Sequence, residues 1–180
     1  MLDVLQGDTD HSIGDRAFSD DPDIVATCGQ VACEVFIENN ITPIIKHLPG
    51  HGRAVVDSHE EIPVVETPLA ILRDHDFKPF QSILTQPKLK NLAGMVGHCL
   101  YTDIDPTAPA SLSKDVIQHI IRDEIGLRGT LYSDDLSMGA LAKYGSIAER
   151  AKQCLKAGCD IVLYCAGNLK EMKAIIDRIS

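Results

Sequence analysis

Two polar strings in this chain end apolar runs, and each holds side chains able to move protons or form covalent bonds. Gly129-Thr-Leu-Tyr-Ser-Asp-Asp-Leu-Ser-Met138 places Asp134 and Asp135 where a short apolar run, entered through a glycine, stops. A buried parallel strand delivers carboxylates to a sheet rim in this way, and in barrels and doubly wound sheets the carboxyl ends of the strands are where chemistry is done. Taken alone, two adjacent aspartates after a strand are as often a solvated turn. The second string is Lys46-His-Leu-Pro-Gly-His-Gly-Arg-Ala-Val-Val-Asp-Ser-His59. Within it Asp57 and His59 lie two apart, which in an extended loop puts both on one face, where the carboxylate can orient the ring and stabilise imidazolium. An unperturbed imidazole titrates near pH 6.5, so it can give a proton and later take one back. Asp-Ser-His by itself reads more often as a polar loop. The preceding Pro-Gly-His-Gly marks a mobile, glycine-hinged loop and shifts that balance. Two charged strand ends in one chain point to one shared site.

The same side chains admit a metal reading, with His47, His51, Asp57, His59 and Asp134 as nitrogen and oxygen ligands on a rim. Against it, Pro49 and Gly50 separate His47 from His51, so the two cannot share a helix face as in an H-x-x-x-H zinc motif. No metal or cofactor is expected. The six cysteines, at 28, 33, 99, 154, 159 and 165, form no Cys-x-x-Cys pair. They sit in apolar contexts and read as buried, reduced thiols, not as a disulfide framework.

A chain of 180 residues with 44% apolar and 24% charged residues has room for one domain with a sizeable core. Its net charge of −9 argues against a nucleic-acid or anionic-membrane partner, because phosphates reward clustered Lys and Arg. No apolar stretch approaches the roughly 20 residues of a membrane helix, and no secretory signal opens the chain. A soluble, cytoplasmic location is the expectation.

The elements that must position these residues alternate strand and helix, the pattern of a parallel sheet covered by helices. Met1-Leu-Asp-Val4 reads as the tail of a strand. Asp21 and Pro22 open a helix whose Ile24, Cys28, Val31, Val35 and Phe36 recur at helical spacing. The strand Thr42-Pro-Ile-Ile45 runs into Lys46 and His47. Thr67-Pro68 opens a short helix in the long connection to the strand Gly94-Met-Val-Gly-His98. Ser113 caps a helix carrying Val116, Ile117, Ile120, Ile121 and Ile125, closed by Gly126, and that helix feeds the strand ending at Asp134. Ser146 with Glu149 is a capping box for a helix running to Ala157-Gly158, followed by the strand Cys159–Cys165. Asn168 with Glu171 repeats the signal for a last amphipathic helix. Four complete strand-helix units follow the tail of a fifth strand.

Several separated motifs resemble family 3 glycoside hydrolases, specifically the single-domain bacterial β-N-acetylhexosaminidases of cell-wall (peptidoglycan) recycling. They are Ile13-Gly-Asp-Arg-Ala-Phe18, Lys46-His-Leu-Pro-Gly-His-Gly52 with Asp57-Ser-His59, Met95-Val-Gly-His98, Ser133-Asp-Asp-Leu-Ser-Met138 and Ala157-Gly-Cys-Asp160. Leu48 stands where the family commonly has an aromatic, and Val96-Gly97 where it often has Thr-Ala. The resemblance implies an α/β fold, a partial (β/α)8 TIM barrel made of roughly its C-terminal half, with residues 1–180 as one incomplete catalytic domain. Whole members run to about 250 residues or more. This chain reads as starting at the end of the fourth strand and stopping in the helix after the eighth, which leaves two sheet edges and an apolar interior uncovered.

The implied activity is retaining hydrolysis of terminal non-reducing N-acetyl-β-D-glucosamine residues from muropeptides or related glycosides. Asp134 is then the nucleophile that forms a glycosyl ester, His59 the proton donor and Asp57 its partner. Asp135 is a supporting or helix-capping carboxylate, with the reverse assignment open. Arg16, Lys46 and His47 bind the sugar; for Arg16 the alternative is a salt bridge with Asp15 or Asp20. His51 is expected to act structurally in its loop. His98 either lines the pocket floor or is a buried, hydrogen-bonded histidine. His11, His75 and His119 read as ordinary positions. An aspartate that the family brings from an earlier strand has no equivalent. The partner is a carbohydrate, and no cofactor is implied. Two alternatives stand beside this reading: a non-catalytic truncated fragment, and the metal-dependent hydrolase. Phosphate in place of water as the acceptor also stays open, since a histidine repels an anion less than a carboxylate does.

Overall fold

The computed structural model describes residues 1–180. Six strands occur, β1 (Ile44–Leu48), β2 (Val64–Val65), β3 (Ala93–Val96), β4 (Leu100–Tyr101), β5 (Leu131–Asp135) and β6 (Ile161–Leu163). Four of them form a parallel sheet in the order β1-β3-β5-β6, and β2 pairs with β4 in a separate two-stranded sheet. The helices are α1 (Pro22–Glu38), α2 (Leu69–Asp74), α3 (Lys78–Leu84), the π-helical stretch Asp115–Glu124, α4 (Ile147–Ala157) and α5 (Leu169–Ile179). This is an open, partly formed β/α barrel sheet with helical crossovers, as such parallel strands require.

Local chemistry fixes the helix starts. The Asp21 side chain accepts from the amides of Asp23 and Ile24, with Pro22 in the first turn. Ser146 and Glu149 form the reciprocal capping box of α4, and Asn168 accepts from the amides of Lys170 and Glu171 at the start of α5. Ser113 receives the Val116 amide at 3.2 Å, and Val116, Ile117, Ile120 and Ile121 are buried as their spacing implies. Their winding differs from an α-helix, with i→i+5 pairing such as Ile125 N–H to the Ile120 carbonyl.

Some expectations are corrected. Met1–Val4 is not a strand, although the Leu2 amide donates to the Lys46 carbonyl at 2.7 Å and so covers the free edge of β1. The strand expected over Thr42–Ile45 lies further on, at Ile44–Leu48, so Lys46 and His47 belong to it. On α1 the buried face is Val25, Ala26, Gly29 and Cys33, whereas Ile24, Val31, Val35 and Phe36 point outward. That helix is apolar round most of its circumference, and an open sheet leaves its far side without cover. Cys165 is exposed and Cys28 half-buried, so not every thiol is internal; β6 ends at Leu163, which puts Cys165 in the following loop. The connection from β1 to β3 also holds α3, β2 and its pairing with β4, none of which short local patterns announce.

Candidate active site

Because the sheet is parallel, the last residues of β1 and β5 come to the same end. Lys46 and His47 lie in the second half of β1, before Leu48 ends it, and Asp134 and Asp135 close β5. Strand pairing slips at both ends, between Lys46 and Leu48 and between Tyr132 and Asp135, which re-aims the side chains there. Two cis peptide bonds, Lys46–His47 and Leu48–Pro49, lie in the same segment. One pocket at this end is lined by Arg16, Lys46, His47, His59 and Asp134, together with Ser12, Ile13, His51, Ser58 and Met138. Five of the six residues picked out by the sequence therefore face one space. The sixth, Asp57, stands behind His59: its Oδ1 accepts from the imidazole Nδ1 at 2.7 Å and from the His59 amide at 2.8 Å. Those two bonds hold the Asp57 carboxyl below its ordinary pKa, with the backbone bond the larger cause.

Asp134 and His59 differ in surroundings. The Asp134 side chain is 21% exposed and His47 Nε2 lies 3.8 Å from its Oδ2, while the His59 side chain is 66% exposed at the pocket mouth. Asp134 Oδ1 accepts the Asp135 amide at 2.8 Å. Arg16 ends a short 3-10 turn, Gly14–Arg16, and its guanidinium donates to the Ser12 carbonyl. Asp135 has a different task. Its carboxylate accepts the amides of Ser137 and Cys165 and the Ser137 hydroxyl, tying the turn after β5 to the loop after β6. Burial alone would raise its pKa, but these bonds and nearby His98 bring it below the ordinary value.

His98 is a buried, satisfied histidine and does not line the pocket. Ser111 lies at 2.8 Å from Nδ1 and the Asp135 carbonyl at 3.0 Å from Nε2. A carbonyl can only accept, so Nε2 carries the hydrogen and Nδ1 takes the serine proton. Burial, the largest cause, lowers its pKa. The expected glycine hinge before Asp57 is pinned at its base. Tyr101 donates to the Gly50 carbonyl and Thr9 to the Gly52 carbonyl, each at 2.6 Å, and a Cβ at Gly52 would sit 1.8 Å from the Val4 carbonyl oxygen. His75 sits half-buried 3.7 Å from buried Asp76, and His119 lies on the surface between Asp115 and Asp123.

Asp3 went unread in the sequence. It is fully buried and binds His47 and His51, and only a charged residue inside the apolar string Met1-Leu-Asp-Val4 hinted at it. Ser12 was also unread; its hydroxyl is buried without a partner in the pocket wall. Four of the five residues of the metal reading line this pocket and Asp57 bonds His59, yet no group of three or more His, Cys, Asp or Glu is arranged to hold an ion. A larger groove beside α1 is lined by Phe18, Cys33, Phe36, Ile41 and Ile44, with no acid–base pair to do chemistry.

Residues 1–180 match the sequence profile of the glycosyl hydrolase family 3 N-terminal domain over their whole length. The chain belongs to glycosyl hydrolase family 3. Among curated relatives it is similar to a beta-hexosaminidase of Idiomarina loihiensis, at 41% identity over 165 residues, which is 92% of this chain and 48% of that protein. A beta-hexosaminidase of Actinobacillus succinogenes is 38% identical, over 86% of this chain and 44% of its own length. The family 3 chain thus spans about half the length of the curated relatives it matches. Its fold matches a solved family 3 beta-N-acetylglucosaminidase from Paenibacillus sp. str. FPU-7, with a TM-score of 0.90 and 30% identity over 99% of this chain and 33% of that one.

Proposed function

We propose that this chain carries the catalytic strand ends of a β-N-acetylhexosaminidase that removes terminal, non-reducing N-acetyl-β-D-glucosamine with retention. The observation that carries the reading is a single pocket into which a strand-end carboxylate, Asp134, and a carboxylate-oriented imidazole, His59 on Asp57, both open. In this mechanism an oxygen of Asp134 attacks the anomeric carbon while His59 Nε2 gives its proton to the departing glycosidic oxygen. The bond to the aglycone breaks as the glycosyl ester forms. His59 then takes a proton from water, which displaces Asp134 from the sugar. Lys46 and Arg16 donate to sugar hydroxyls, and His47 offers Nε2, its Nδ1 being held by Asp3. Relatives named beta-hexosaminidases and the solved beta-N-acetylglucosaminidase of the same fold support an N-acetylhexosamine substrate.

The muropeptide fragments of cell-wall recycling and a cytoplasmic setting are part of the same proposal; six free thiols fit a reducing compartment. No helix is long and apolar enough to cross a membrane. The donor set does not fit a catalytic metal, so chelation is expected to leave the rate unchanged. A second reading rests on the open four-stranded sheet, whose site could be held too loosely for catalysis, since an error of about 1 Å can cost a hundredfold.

Hydrolysis of p-nitrophenyl N-acetyl-β-glucosaminide by the chain, beside Asp134→Ala and His59→Ala, decides between them. Steady-state turnover in the wild type, lost in both variants, is the expected result. A folded wild type without turnover would leave the second reading. A rate that rises with added phosphate would make the enzyme a phosphorylase.

A further inference from the structure

Asp3 has no exposed surface, and no step above uses its charge. A carboxylate taken out of water costs several kcal/mol unless donors surround it. Here they all come from the second polar string. Oδ2 receives Nδ1 of His47 at 2.8 Å, and Oδ1 receives the amide of His51 at 2.7 Å and that of His47 at 3.2 Å. Burial pushes the carboxyl up, but His47 and His51 outweigh it and hold its pKa to about 2. An ionised carboxylate can only accept, so the hydrogen must sit on Nδ1 of His47. The other ring nitrogen lies 3.8 Å from Asp134 Oδ2 in the pocket.

We propose that Asp3 is a positioning residue that holds the His47 ring with its hydrogen on Nδ1 and presents Nε2 beside Asp134. Tethering the loop would need only the two backbone amides; the bond to the ring nitrogen has no such purpose. The opposite tautomer would turn an N–H toward Asp134 and compete for the oxygen lone pair that attacks the sugar. The orientation of His47 stands on its own, whereas its effect on rate rests on Asp134 being the nucleophile.

The test is the imidazole nitrogen spectrum of the 15N-labelled 180-residue chain, recorded about two units above the ordinary imidazole value of roughly 6.5, with His47→Gln to assign the signal. In the wild type, Nδ1 of His47 should carry hydrogen. In Asp3→Asn the amide keeps an oxygen for the backbone donors but turns an NH2 toward Nδ1, so the hydrogen should move to Nε2. A wild-type spectrum with a bare Nδ1 overturns the proposal, whether or not any variant folds. Turnover supplies the second arm. Asp3→Asn should lower kcat about tenfold or more in the native background and have little effect in His47→Gln; equal losses in both would show a merely structural role and overturn it. A wild type with the expected spectrum but no turnover would count against the glycosidase reading and leave the role of Asp3 on His47 intact.

Discussion

His59 stands at the pocket mouth with two thirds of its side chain in solvent, and Asp57 orients it, while Asp134 is mostly enclosed. The two should therefore fail differently when removed. A p-nitrophenolate leaves with little help from a proton, so His59→Ala should still form the glycosyl ester on Asp134 and stall at its hydrolysis. Rapid-mix kinetics should show a burst of p-nitrophenol close to one per chain, then turnover slowed about 10²–10⁴-fold. Asp134→Ala should show no burst. A burst in Asp134→Ala would move the nucleophile to another group, with Asp135, its neighbour in the chain, the first to test. At this scale Asp134, Asp57 and His59 were legible as candidates because each lies in a short polar string, although spacing alone suits a solvated turn or a polar loop as well and their roles came only from the family resemblance. Asp3 was not, because its partners lie 44 and 48 residues away and nothing local distinguishes a buried acid from a surface one.

The loop carrying His59 owes its place to the 3-10 helix after β5, Gly139–Tyr144. The Gly139 amide donates to the His59 carbonyl at 2.9 Å and the Ala140 amide to the Ser58 carbonyl at 3.2 Å, clamping the His59 loop to the segment that follows β5. A Cβ at Gly139 would lie 2.3 Å from the Glu60 carbonyl oxygen and 2.5 Å from that of His59, so backbone must move. Gly139→Ala should reduce kcat/KM by about a hundredfold through displaced His59. Ser146→Ala provides the contrast: it breaks the α4 capping box away from the pocket, and should cost about 1 kcal/mol of stability in denaturant titrations with kcat unchanged. Equal activity losses in the two would remove the clamp argument. The caps at Asp21, Ser146 and Asn168 were readable since a cap is a contact within three residues. β2 and β4 were not: each is two residues long and exists only by pairing with the other. The π winding of Asp115–Glu124 was equally hidden, because its buried residues Val116, Ile117, Ile120 and Ile121 suit an α-helical period as well.

Across the whole molecule the open sheet leaves Ile24, Val31, Val35 and Phe36 on one flank and Leu169, Met172 and Ile176 on the other in solvent, as a half barrel implies. Stability then depends on what the single core and its buried polar contacts supply. Several carboxyls are held below their ordinary pKa, among them Asp3, Asp57, Asp105 and Asp135, whereas burial lifts Asp76 the other way. A group depressed in the folded state adds stability that is present above its unfolded pKa and is lost as pH falls through the folded one. For Asp3 the window runs from 3.8 down to about 2. The thermal midpoint of the wild type should therefore fall steeply across that range. Asp3→Asn has nothing to titrate there, so it should be less stable at neutral pH, lose less on acidification, and approach the wild type near pH 2. Parallel curves for the two proteins across the window would mean that the carboxyl of Asp3 is not held ionised by His47 and His51, and the charge at the floor of the site would have to be assigned elsewhere.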